Sequence, residues 1–410
     1  MVAAGREFFT VKTVAQALRD FRPDHRSAVE TVALERAFGR VPAQEIRARE
    51  PLPGFDRSSV DGFAVRARDT FGASETIPAY LRVIGAVRMG AAAEGLVGAE
   101  NAIAVPTGGM VPGGADAVVM VEHTQEAMPG TIEVVRPVAP GEGIVRGDED
   151  LAPGAVIVGP GRPLRAQDVA MLAACGVVEV PVHAPPRVAI VATGDEVVAP
   201  DTAELASGQV RDALSVSIGA LATEAGGEPG SPLIVADDRE ALQAALTTAV
   251  AESDLVVICA GSSVGARDET AGAVTALAGS EIWCHGLAIK PGKPTLLAHS
   301  DEVPIIGLPG NPRSALVVFR LIGMPLVRRA GGWTAEHRPG TIRARLTRDL
   351  PSAAGRLDVV QVQLRDGQAE PVFGPSALLS VLTAADGYLI LDEDATGLPA
   401  GEPVEVFPYA

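Results

Sequence analysis

The sequence is poor in cysteine and in aromatic residues. Its three cysteines, Cys175, Cys259 and Cys284, are far apart along the chain. An odd number of separated cysteines fits neither a disulfide framework nor a zinc knuckle, and it favours a reducing, cytoplasmic compartment. Aromatic residues make up only 4% of the chain, so the hydrophobic cores must be built from Ala, Val, Leu and Ile.

Long apolar runs and a signal-peptide pattern are also missing. Runs such as LVVICA and ALVVF are far shorter than the roughly 20 residues needed to span a bilayer. The N-terminal MVAAGREFFTVKTV has acidic and polar residues where a signal peptide needs an apolar core. We therefore expect a soluble, cytoplasmic protein with no membrane partner.

Basic residues are scarce relative to acidic ones: 34 Lys and Arg face 51 Asp and Glu, a net charge of −17. Such a chain repels nucleic-acid phosphates and anionic membrane surfaces, which argues against both as main partners. The sequence has no HExxH motif, no CxxC pair and no Ser/His/Asp order. Hydrolytic triads and structural zinc are therefore not supported.

The length and the hydrophobic pattern indicate several domains. A chain of 410 residues suggests two to four domains at roughly 150 residues each. Residues 1–50 predict helices, one with apolar residues at helical spacing from Val14 to Phe21 and another over VETVALERAF. Residues 51–140 carry short alternating strands between Gly and Pro, which fit a small β-barrel or sandwich.

The second half of the chain has a different pattern. After a turn-rich return and the helix AQDVAMLAACG, residues 185–333 alternate apolar strands such as RVAIVATG with helices. This alternation implies a parallel sheet covered on both faces. Residues 334–410 carry strand patterns again, including GRLDVVQVQL and EPVEVFPY. The predicted fold class is therefore α/β plus β, in a multidomain chain.

Three strands of the α/β region end in polar or glycine-rich loops. Asp195 and Glu196 follow RVAIVATG, SSVGARDE follows LVVICAG, and Asn311 follows PIIGLPG. Ligands bind at the carboxyl ends of strands in open α/β sheets, so we expect these loops to surround one crevice. The turn formed by Gly261, Ser262, Ser263, Val264 and Gly265 can present N–H groups to a phosphate. The alternative is that it is only a turn.

Carboxylates are expected in the same crevice. They are Asp195, Glu196, Asp237, Asp238 and Asp268. Carboxylates beside a phosphate site suit Mg²⁺, which favours one or two carboxylates plus substrate phosphate oxygens. The alternative is helix capping, which is at least as well supported for Asp212. For Glu196 and Asp268 we favour contact with a metal or ligand.

Lysine is nearly absent, and its placement is therefore informative. The chain has three lysines, and two of them, Lys290 and Lys293, lie in the rigid turn KPGKP. A lysine is a compact, strongly hydrated point charge that suits a small tetrahedral oxyanion or a phosphate. The alternative is a solvated turn between two strands.

In the β-rich region, Asp61 and Thr107 lie in turn-rich motifs, and a plain hairpin turn is equally consistent with Asp61.

Six motifs occur in a fixed order along nearly the whole chain: FDRSSVDGFAV, PTGGMVPGGADAVVM, VAIVATGDEVV, AGSSVGARDET, AIKPGKP and GLPGNPRSA. This ordered set resembles the MoeA family, the molybdopterin molybdenumtransferases, which are related to the E domain of gephyrin. The resemblance implies a discontinuous helical linker domain over 1–50 and 141–184 and a β-rich inserted domain over 51–140. It also implies a MogA-like α/β molybdopterin-binding domain over 185–333 and a C-terminal β-barrel over 334–410.

The resemblance also implies an activity. Members of the family act on adenylylated molybdopterin, using molybdate and Mg²⁺ to release AMP and leave molybdenum on the dithiolene. They work as elongated homodimers, with the site between the third and fourth domains of one subunit and the second domain of the other. The adenylyltransferase that supplies the substrate is a further expected partner. Molybdate and tungstate cannot be distinguished, because the two oxyanions have nearly the same size and charge.

Motif positions assign roles to individual residues. By this resemblance, Asp61 and Thr107 match catalytic residues that the second domain of the partner subunit contributes, and Asp150 matches a further acid near the linker. Catalytic and metal-binding acids are Glu196, Asp237 and Asp268, with Asp238 as the alternative to Asp237. The family positions that contact the substrate and the oxyanion correspond in this sequence to Lys290, Lys293, Gly261, Ser262, Ser263, Gly265, Pro309, Pro312, Arg356 and Ser376.

The motifs also depart from the family pattern. Asp212-Ala213-Leu214 stands where relatives usually have Asp-Ser-Asn, and AGSSVG stands where they usually have GGVSVG. Two other functions therefore remain open, a non-catalytic molybdopterin-binding scaffold or paralogue and a CinA-like nucleotide pyrophosphatase. The lysines and the acidic set argue against the scaffold. The β-rich region and the barrel argue against the pyrophosphatase.

Overall fold

A computed structural model describes residues 11–260, 264–335 and 339–409 of the chain, with the backbone alone at 264–268. Among the helices of these residues, none combines the length and the apolar character that crossing a bilayer requires. These residues form two six-stranded sheets, one seven-stranded sheet and several two-stranded sheets.

The N-terminal segment contains one helix and three short strands. They are α1 (Val14–Asp20), β1 (Val29–Ala33), β2 (Ile46–Arg47) and β3 (Arg57–Ser58). Helix α1 begins with a reciprocal cap, in which Thr13 Oγ1 accepts from the N–H of Gln16 and Gln16 Oε1 accepts from that of Thr13. The helix predicted over VETVALERAF is wrong, because its first half is strand β1. Its β-branched Val and Thr residues favour an extended chain.

The inserted β-rich region forms one six-stranded mixed sheet. Its strands are β4 (Gly62–Val65), β5 (Ala79–Ala86), β6 (Asn101–Val105), β7 (Ala117–Met120), β8 (Thr124–Met128) and β9 (Thr131–Val134). Their order is β7-β4-β6-β5-β9-β8, and hydrogen bonds among the described residues do not close it into a barrel. Neighbouring residues such as Ala64 and Val65 belong to different hydrophobic clusters. The sheet is therefore buried on both faces.

The return segment lies against the N-terminal segment. It contains β10 (Ile144–Val145), β11 (Val156–Val158), α2 (Ala166–Ala174) and β12 (Glu179–His183). Strands β10, β11 and β12 pair antiparallel with β3, β2 and β1, respectively. Helix α2 is anchored by Asp168, whose Oδ2 lies 2.6 Å from Arg162 Nη1. This guanidinium holds the pKa of Asp168 well below its usual range.

The α/β region follows. Its strands are β13 (Arg187–Thr193), β14 (Val197–Val198), β15 (Val210–Arg211), β16 (Glu228–Pro229), β17 (Leu233–Val235), β18 (Leu255–Cys259), β19 (Ser280–His285), β20 (Ile289–Lys290), β21 (Leu296–Ser300) and β22 (Val303–Leu308). Its helices are α3 (Leu214–Glu224), α4 (Arg239–Glu252), α5 (Val264–Thr275), α6 (Pro312–Val318) and α7 (Met324–Ala330). A π-helical turn, Phe319–Gly323, joins α6 to α7.

The main sheet of this region has the order β16-β13-β18-β22-β21-β19, and β17 also pairs with β13. Strands β13, β18 and β22 are parallel, as predicted, but β21 and β19 are antiparallel to their neighbours. The prediction of an all-parallel sheet is therefore wrong at this edge. The physical reason is the tight turn at Asp301 and Glu302, both at positive φ, which folds β21 and β22 into a hairpin.

The C-terminal region forms the predicted closed barrel. Its elements are β23 (Ile342–Leu346), β24 (Leu350–Pro351), β25 (Leu357–Arg365), β26 (Gln368–Pro371), α8 (Ser380–Thr383), β27 (Gly387–Leu391), β28 (Gly397–Leu398) and β29 (Pro403–Pro408). The ring runs β25-β26-β23-β29-β27 and closes by pairing of β27 with β25. Strand β20 joins this barrel through a parallel pairing with β25.

One hydrophobic core spans the α/β region and the barrel. It contains Phe21 from the chain just after α1, Ile190 from β13, Phe319 from the π-helical turn and Tyr388 from β27. The barrel therefore packs directly on the α/β region. The loops at their junction, which carry the lysine turn, are held between two packed domains.

Candidate active site

A cavity of about 670 Å³ lies at the junction of the α/β region and the barrel. Its walls come from the lysine turn, from the segment that begins α6 and from two barrel loops. Four basic side chains line it, those of Lys290, Lys293, Arg313 and Arg356, and none of the described residues that line it is acidic. In a chain of net charge −17, this cavity is a local concentration of positive charge.

The lysine turn is held rigidly while its side chains stay exposed. Gly292 has φ +126, and a Cβ there would clash with Val318 of α6. The hydroxyl of the buried Thr295 donates to the carbonyl of Gly292 at 2.7 Å. Lys290 and Lys293 are both exposed, and the ion pairs within 11–260, 264–335 and 339–409 include neither of them. Their charges are therefore available to an anion.

The barrel supplies the opposite wall. Arg356 lines the cavity, and its Nε lies 2.8 Å from Oδ1 of Asp358, which is only 4% exposed. The other oxygen of this carboxylate accepts from the Ser352 hydroxyl at 3.1 Å. Ser376 lines the same cavity. The structure thus brings Arg356 and Ser376 to the lysine turn, although they are distant in sequence.

The two prolines of the LPGNP motif have different positions. Pro309 lines the cavity, whereas Pro312 is the first residue of α6 and stands between two lining residues, Asn311 and Arg313. A proline at this position is favourable, because the first N–H of a helix has no partner to lose. Pro312 therefore fixes where α6 begins beside the cavity.

Three carboxylates lie near one another at the carboxyl ends of β13 and β17. The N–H of Asp237 donates to Oδ1 of Asp195 at 3.2 Å. Burial raises the pKa of Asp237, the negative charges of Glu196 and Asp195 raise it further, and a hydrogen bond with Thr193 opposes them. The acidic cluster of Asp195, Glu196 and Asp237 is therefore close enough for its members to repel one another.

Gly194 lies directly beneath the Glu196 carboxylate. Its φ of +143 is in the region that favours glycine, and an added Cβ would stand 2.8 Å from Glu196 Oε2. The N–H of Val197 donates to the carbonyl of Gly194 at 3.0 Å, which closes the turn. A side chain at residue 194 would therefore occupy space next to the Glu196 carboxylate, and glycine leaves that space free.

Two other aspartates cap helices. Oδ1 of Asp238 accepts from the N–H of Ala241 at 2.8 Å at the start of α4. Oδ1 of Asp212, which is 5% exposed, accepts from the N–H of Ser215 at 2.9 Å at the start of α3. Because Asp238 is occupied as a cap, Asp237 is the member of that pair that faces the other carboxylates.

The acidic cluster has the donor chemistry for a hard divalent cation. Within the described ranges no three His, Cys, Asp or Glu side chains converge on one point. This arrangement fits Mg²⁺, which needs only one or two carboxylates when substrate phosphates complete its shell. The mutual repulsion that raises the pKa of Asp237 is the kind that a cation relieves.

Part of the predicted glycine-rich turn cannot be placed. Gly261, Ser262 and Ser263 lie outside the described residues, and so does the side chain of Asp268. Gly265 is placed by its backbone in the first turn of α5, which begins at Val264. Helix α5 follows β18, so this segment continues from the carboxyl end of the central strand.

Asp61 and Thr107 contact each other but not the rest of the site. Oδ1 of Asp61 accepts from the N–H of Thr107 at 2.8 Å, and both residues are exposed. Neither lines the cationic cavity, and in the described part of the chain neither bonds to the acidic cluster. Within one chain the structure therefore separates this pair from the cavity.

Two residues near the cavity have no counterpart among the sequence predictions. Arg313 lines it directly, and Asp358 holds Arg356 from behind. Arg313 follows the LPGNP motif immediately, so its position next to a predicted site residue was the one signal that pointed to it. Asp358 is one of many acidic residues, and nothing in its sequence surroundings distinguishes it.

Family models match three long segments of the chain. Residues 11–176 match the model of the MoeA N-terminal region (domain I and II). Residues 189–329 match that of a probable molybdopterin binding domain, and residues 343–409 that of the MoeA C-terminal region (domain IV). The chain belongs to the MoeA family. The resemblance inferred from the six motifs is thereby confirmed, and so is the predicted fold class.

Individual members of the family are similar over nearly their full length. A molybdopterin molybdenumtransferase of Bacillus subtilis (strain 168) is 33% identical over 92% of this chain and 89% of its own. Molybdopterin molybdenumtransferase 2 of Mycobacterium tuberculosis (strain H37Rv) is 33% identical over 97% of each chain. A crystal structure of the molybdopterin biosynthesis MoeA protein from Pyrococcus horikoshii OT3 has a TM-score of 0.83 and 33% identity, covering 98% of this chain and 100% of its own.

Proposed function

We propose that this protein is a molybdopterin molybdenumtransferase of molybdenum cofactor biosynthesis. It inserts molybdate into adenylylated molybdopterin in a Mg²⁺-dependent reaction that releases AMP. The observation that carries this proposal is the cavity lined by four basic side chains and by no acidic one among the described residues. The names of the relatives in Bacillus subtilis and Mycobacterium tuberculosis supply the substrate class.

The cationic cavity suits a small dianion. Lys290 and Lys293 offer strongly hydrated point charges, and Arg356 offers a planar fork that is fixed by Asp358. Fixed positive charges of this kind stabilise an oxyanion without reorganisation when it arrives. The cavity is larger than one tetrahedral oxyanion requires, so the reacting end of a larger substrate can enter beside the ion. Proximity of the two reactants then lowers the barrier.

The acidic cluster would hold the metal. Glu196 and Asp237, with Asp268 as a third member, would bind Mg²⁺, which when present neutralises phosphate charge and favours departure of AMP. Gly194 leaves room for the Glu196 carboxylate, and the N–H of Asp237 is held by Asp195. The role of the chain at this end of the site is to present negative oxygens in fixed positions.

A homodimer is also part of this proposal. Asp61 and Thr107 form a contact of their own, separate from the cavity within one chain. A site that uses both the cavity and this pair requires a second copy, which a two-fold symmetric dimer supplies twice. The adenylylated substrate also requires a supplier, so an adenylyltransferase is the expected partner enzyme.

The test is AMP release from adenylylated molybdopterin with Mg²⁺, measured with and without molybdate. We expect molybdate-dependent release that is lost in Lys290→Ala and in Glu196→Ala. Lys12→Ala is the matched control, because Lys12 lies over the Trp283 ring and does not line the cavity. Release that is indifferent to molybdate would identify a nucleotide pyrophosphatase. Tight binding of the substrate without release would identify a scaffold.

A further inference from the structure

Arg313 occupies a special position in the cationic cavity. It is the second residue of α6, and its backbone N–H donates to the carbonyl of Ser376 at 3.1 Å. Its Nη1 donates to the carbonyl of Gly374 at 2.9 Å. The guanidinium is therefore fixed against a barrel loop whose residues Gly374, Pro375 and Ser376 line the same cavity. The backbone and the side chain of Arg313 are thus both held in place by hydrogen bonds to this loop.

The charge of Arg313 has no counter-ion. Two other partly buried arginines face a carboxylate: Arg162 faces Asp168, and Arg320 faces Glu224. The ion pairs of the described residues do not include Arg313, and its buried Nε has no hydrogen-bond partner among them. Burial lowers the pKa of this guanidinium. A half-buried charge without a partner is costly, and an arriving anion removes that cost.

We infer that Arg313 binds the oxyanion in this cavity, as a fourth cationic ligand beside Lys290, Lys293 and Arg356. This inference rests on the proposed function and adds a binding residue to its oxyanion site. Nη2 of Arg313 forms no hydrogen bond with the described residues and is the donor available to the ligand. The planar guanidinium, fixed through Nη1, holds this nitrogen in one orientation, which the flexible ammonium of a lysine cannot reproduce. The ligand class is a tetrahedral dianion, either molybdate or the phosphate group of the substrate.

Isothermal titration of the full-length protein with sodium molybdate, and separately with inorganic phosphate, tests this assignment. The variants are Arg313→Gln, which removes the charge, and Arg313→Lys, which keeps the charge without the planar guanidinium. Arg320→Gln is the matched control, because Arg320 is a partly buried arginine of the same helical segment that Glu224 already neutralises. Lys290→Ala reports on the cavity itself. Thermal melting of each variant shows whether it is folded.

We expect Arg313→Gln to weaken binding of at least one anion about ten-fold or more, as for loss of a charge-assisted hydrogen bond. Arg313→Lys should retain part of the affinity, and Arg320→Gln should bind as the wild type does. Weaker molybdate binding assigns Arg313 to the metal oxyanion, and weaker phosphate binding assigns it to the substrate phosphate.

Two results would overturn the inference while leaving the proposed function intact. In one, Arg313→Gln binds both anions normally and Lys290→Ala does not. In the other, Arg313→Gln and Arg320→Gln weaken binding equally, which indicates a general loss of structure. If the wild-type protein binds neither anion, the oxyanion site of the proposed function fails together with the role of Arg313.

Discussion

Lys290 and Asp358 are register partners in the parallel strand pair that joins the lysine turn to the barrel. Asp358 is buried, and its Oδ1 lies 2.8 Å from Nε of Arg356. One buried carboxylate therefore holds a basic residue of the barrel at the point where the barrel pairs with the lysine turn. The two walls of the cavity are connected by the backbone pairing of β20 with β25, and this side chain fixes Arg356 next to that connection.

Replacing Asp358 should loosen Arg356. In Asp358→Asn the guanidinium loses its charged partner, so we expect molybdate affinity to fall about ten-fold. The free energy of unfolding should fall by about 1 kcal/mol, at the low end for a charged hydrogen bond, because Arg356 is 37% exposed. Molybdate titration and urea denaturation measure the two effects.

Ser352→Ala is the control for Asp358. It removes the hydroxyl that donates to Oδ2 and leaves the ion pair with Arg356 in place. We expect it to change stability slightly and molybdate affinity not at all. Wild-type molybdate affinity in Asp358→Asn would show that Arg356 does not depend on this carboxylate.

Gly194→Ala should displace the Glu196 carboxylate. The new Cβ would stand 2.8 Å from Oε2, at a residue whose φ is +143. We expect Mg²⁺-dependent AMP release to fall at least about ten-fold and the free energy of unfolding to fall by about 1–2 kcal/mol. Steady-state kinetics at varied Mg²⁺ and a thermal melt measure these effects.

Gly208→Ala provides the matched comparison for Gly194→Ala. Gly208 has φ +93, but a Cβ there would meet no atom within 4 Å. This substitution adds backbone strain alone, so it should lower stability and leave AMP release unchanged. Equal losses of AMP release in both variants would mean that the contact with Glu196 is irrelevant.

Some features of this molecule follow from local sequence and others do not. The Pro-Gly turn and the rarity of lysine mark Lys290 and Lys293 as candidate binding residues from local sequence alone. The antiparallel edge of the α/β sheet could not be predicted, because buried strands have the same apolar pattern in either direction. Its cause, the turn at Asp301 and Glu302, has none of the Gly or Asn residues that usually mark a tight hairpin.

The strand Val29–Ala33 shows a related difficulty. The prediction assigned it to a helix, but its hydrogen bonds go to Glu179–His183, which follow much later in the chain. Pairing over such a distance leaves no local signal apart from the β-branched residues. The cavity at the domain junction is similar, because the position of Arg356 and Ser376 next to the lysine turn depends on packing between domains. Only the ordered family motifs indicated it.

Asp237 should make stability depend on pH. Its pKa is raised above 3.8 by burial and then by Glu196 and Asp195. The fold therefore prefers the protonated form, and this contribution is fully present below pH 3.8 and lost as the pH rises through the folded pKa. At pH 7 without Mg²⁺, Asp237→Asn should raise the free energy of unfolding by about half a kcal/mol, because solvent screens this exposed site.

Addition of Mg²⁺ should make the wild type more stable than Asp237→Asn, which reverses their order without Mg²⁺. A cation that binds the acidic cluster stabilises the wild-type fold by mass action and has less to bind in Asp237→Asn. Urea denaturation at several pH values, with and without Mg²⁺, measures both trends. Asp238→Asn is the comparison, because asparagine can still cap α4, so this variant should stay close to the wild type in stability with and without Mg²⁺. If the difference in the free energy of unfolding between the wild type and Asp237→Asn changes with neither pH nor Mg²⁺, the electrostatic argument is refuted.

Mixing two inactive variants tests whether one site uses two subunits. Asp61→Ala should remove the contribution of the inserted domain, and Lys290→Ala that of the cavity, so each homodimer is expected to be inactive. In a mixed dimer with shared sites, one site carries both defects and the other carries neither. Random exchange of subunits should then restore roughly a quarter of the wild-type rate of AMP release, since half of the dimers regain one of two sites.

The double variant Asp61→Ala/Lys290→Ala, mixed with either single variant, is the control. Every site in such a mixture lacks one of the two groups, so no activity should return although the subunits exchange equally. If each site lies within one chain, mixing Asp61→Ala with Lys290→Ala should restore no activity, because every site would then remain defective. The separation of the Asp61–Thr107 contact from the cationic cavity within one chain favours recovery. Absence of recovery, with exchange verified by mass spectrometry of the dimers, would place the whole reaction within a single subunit.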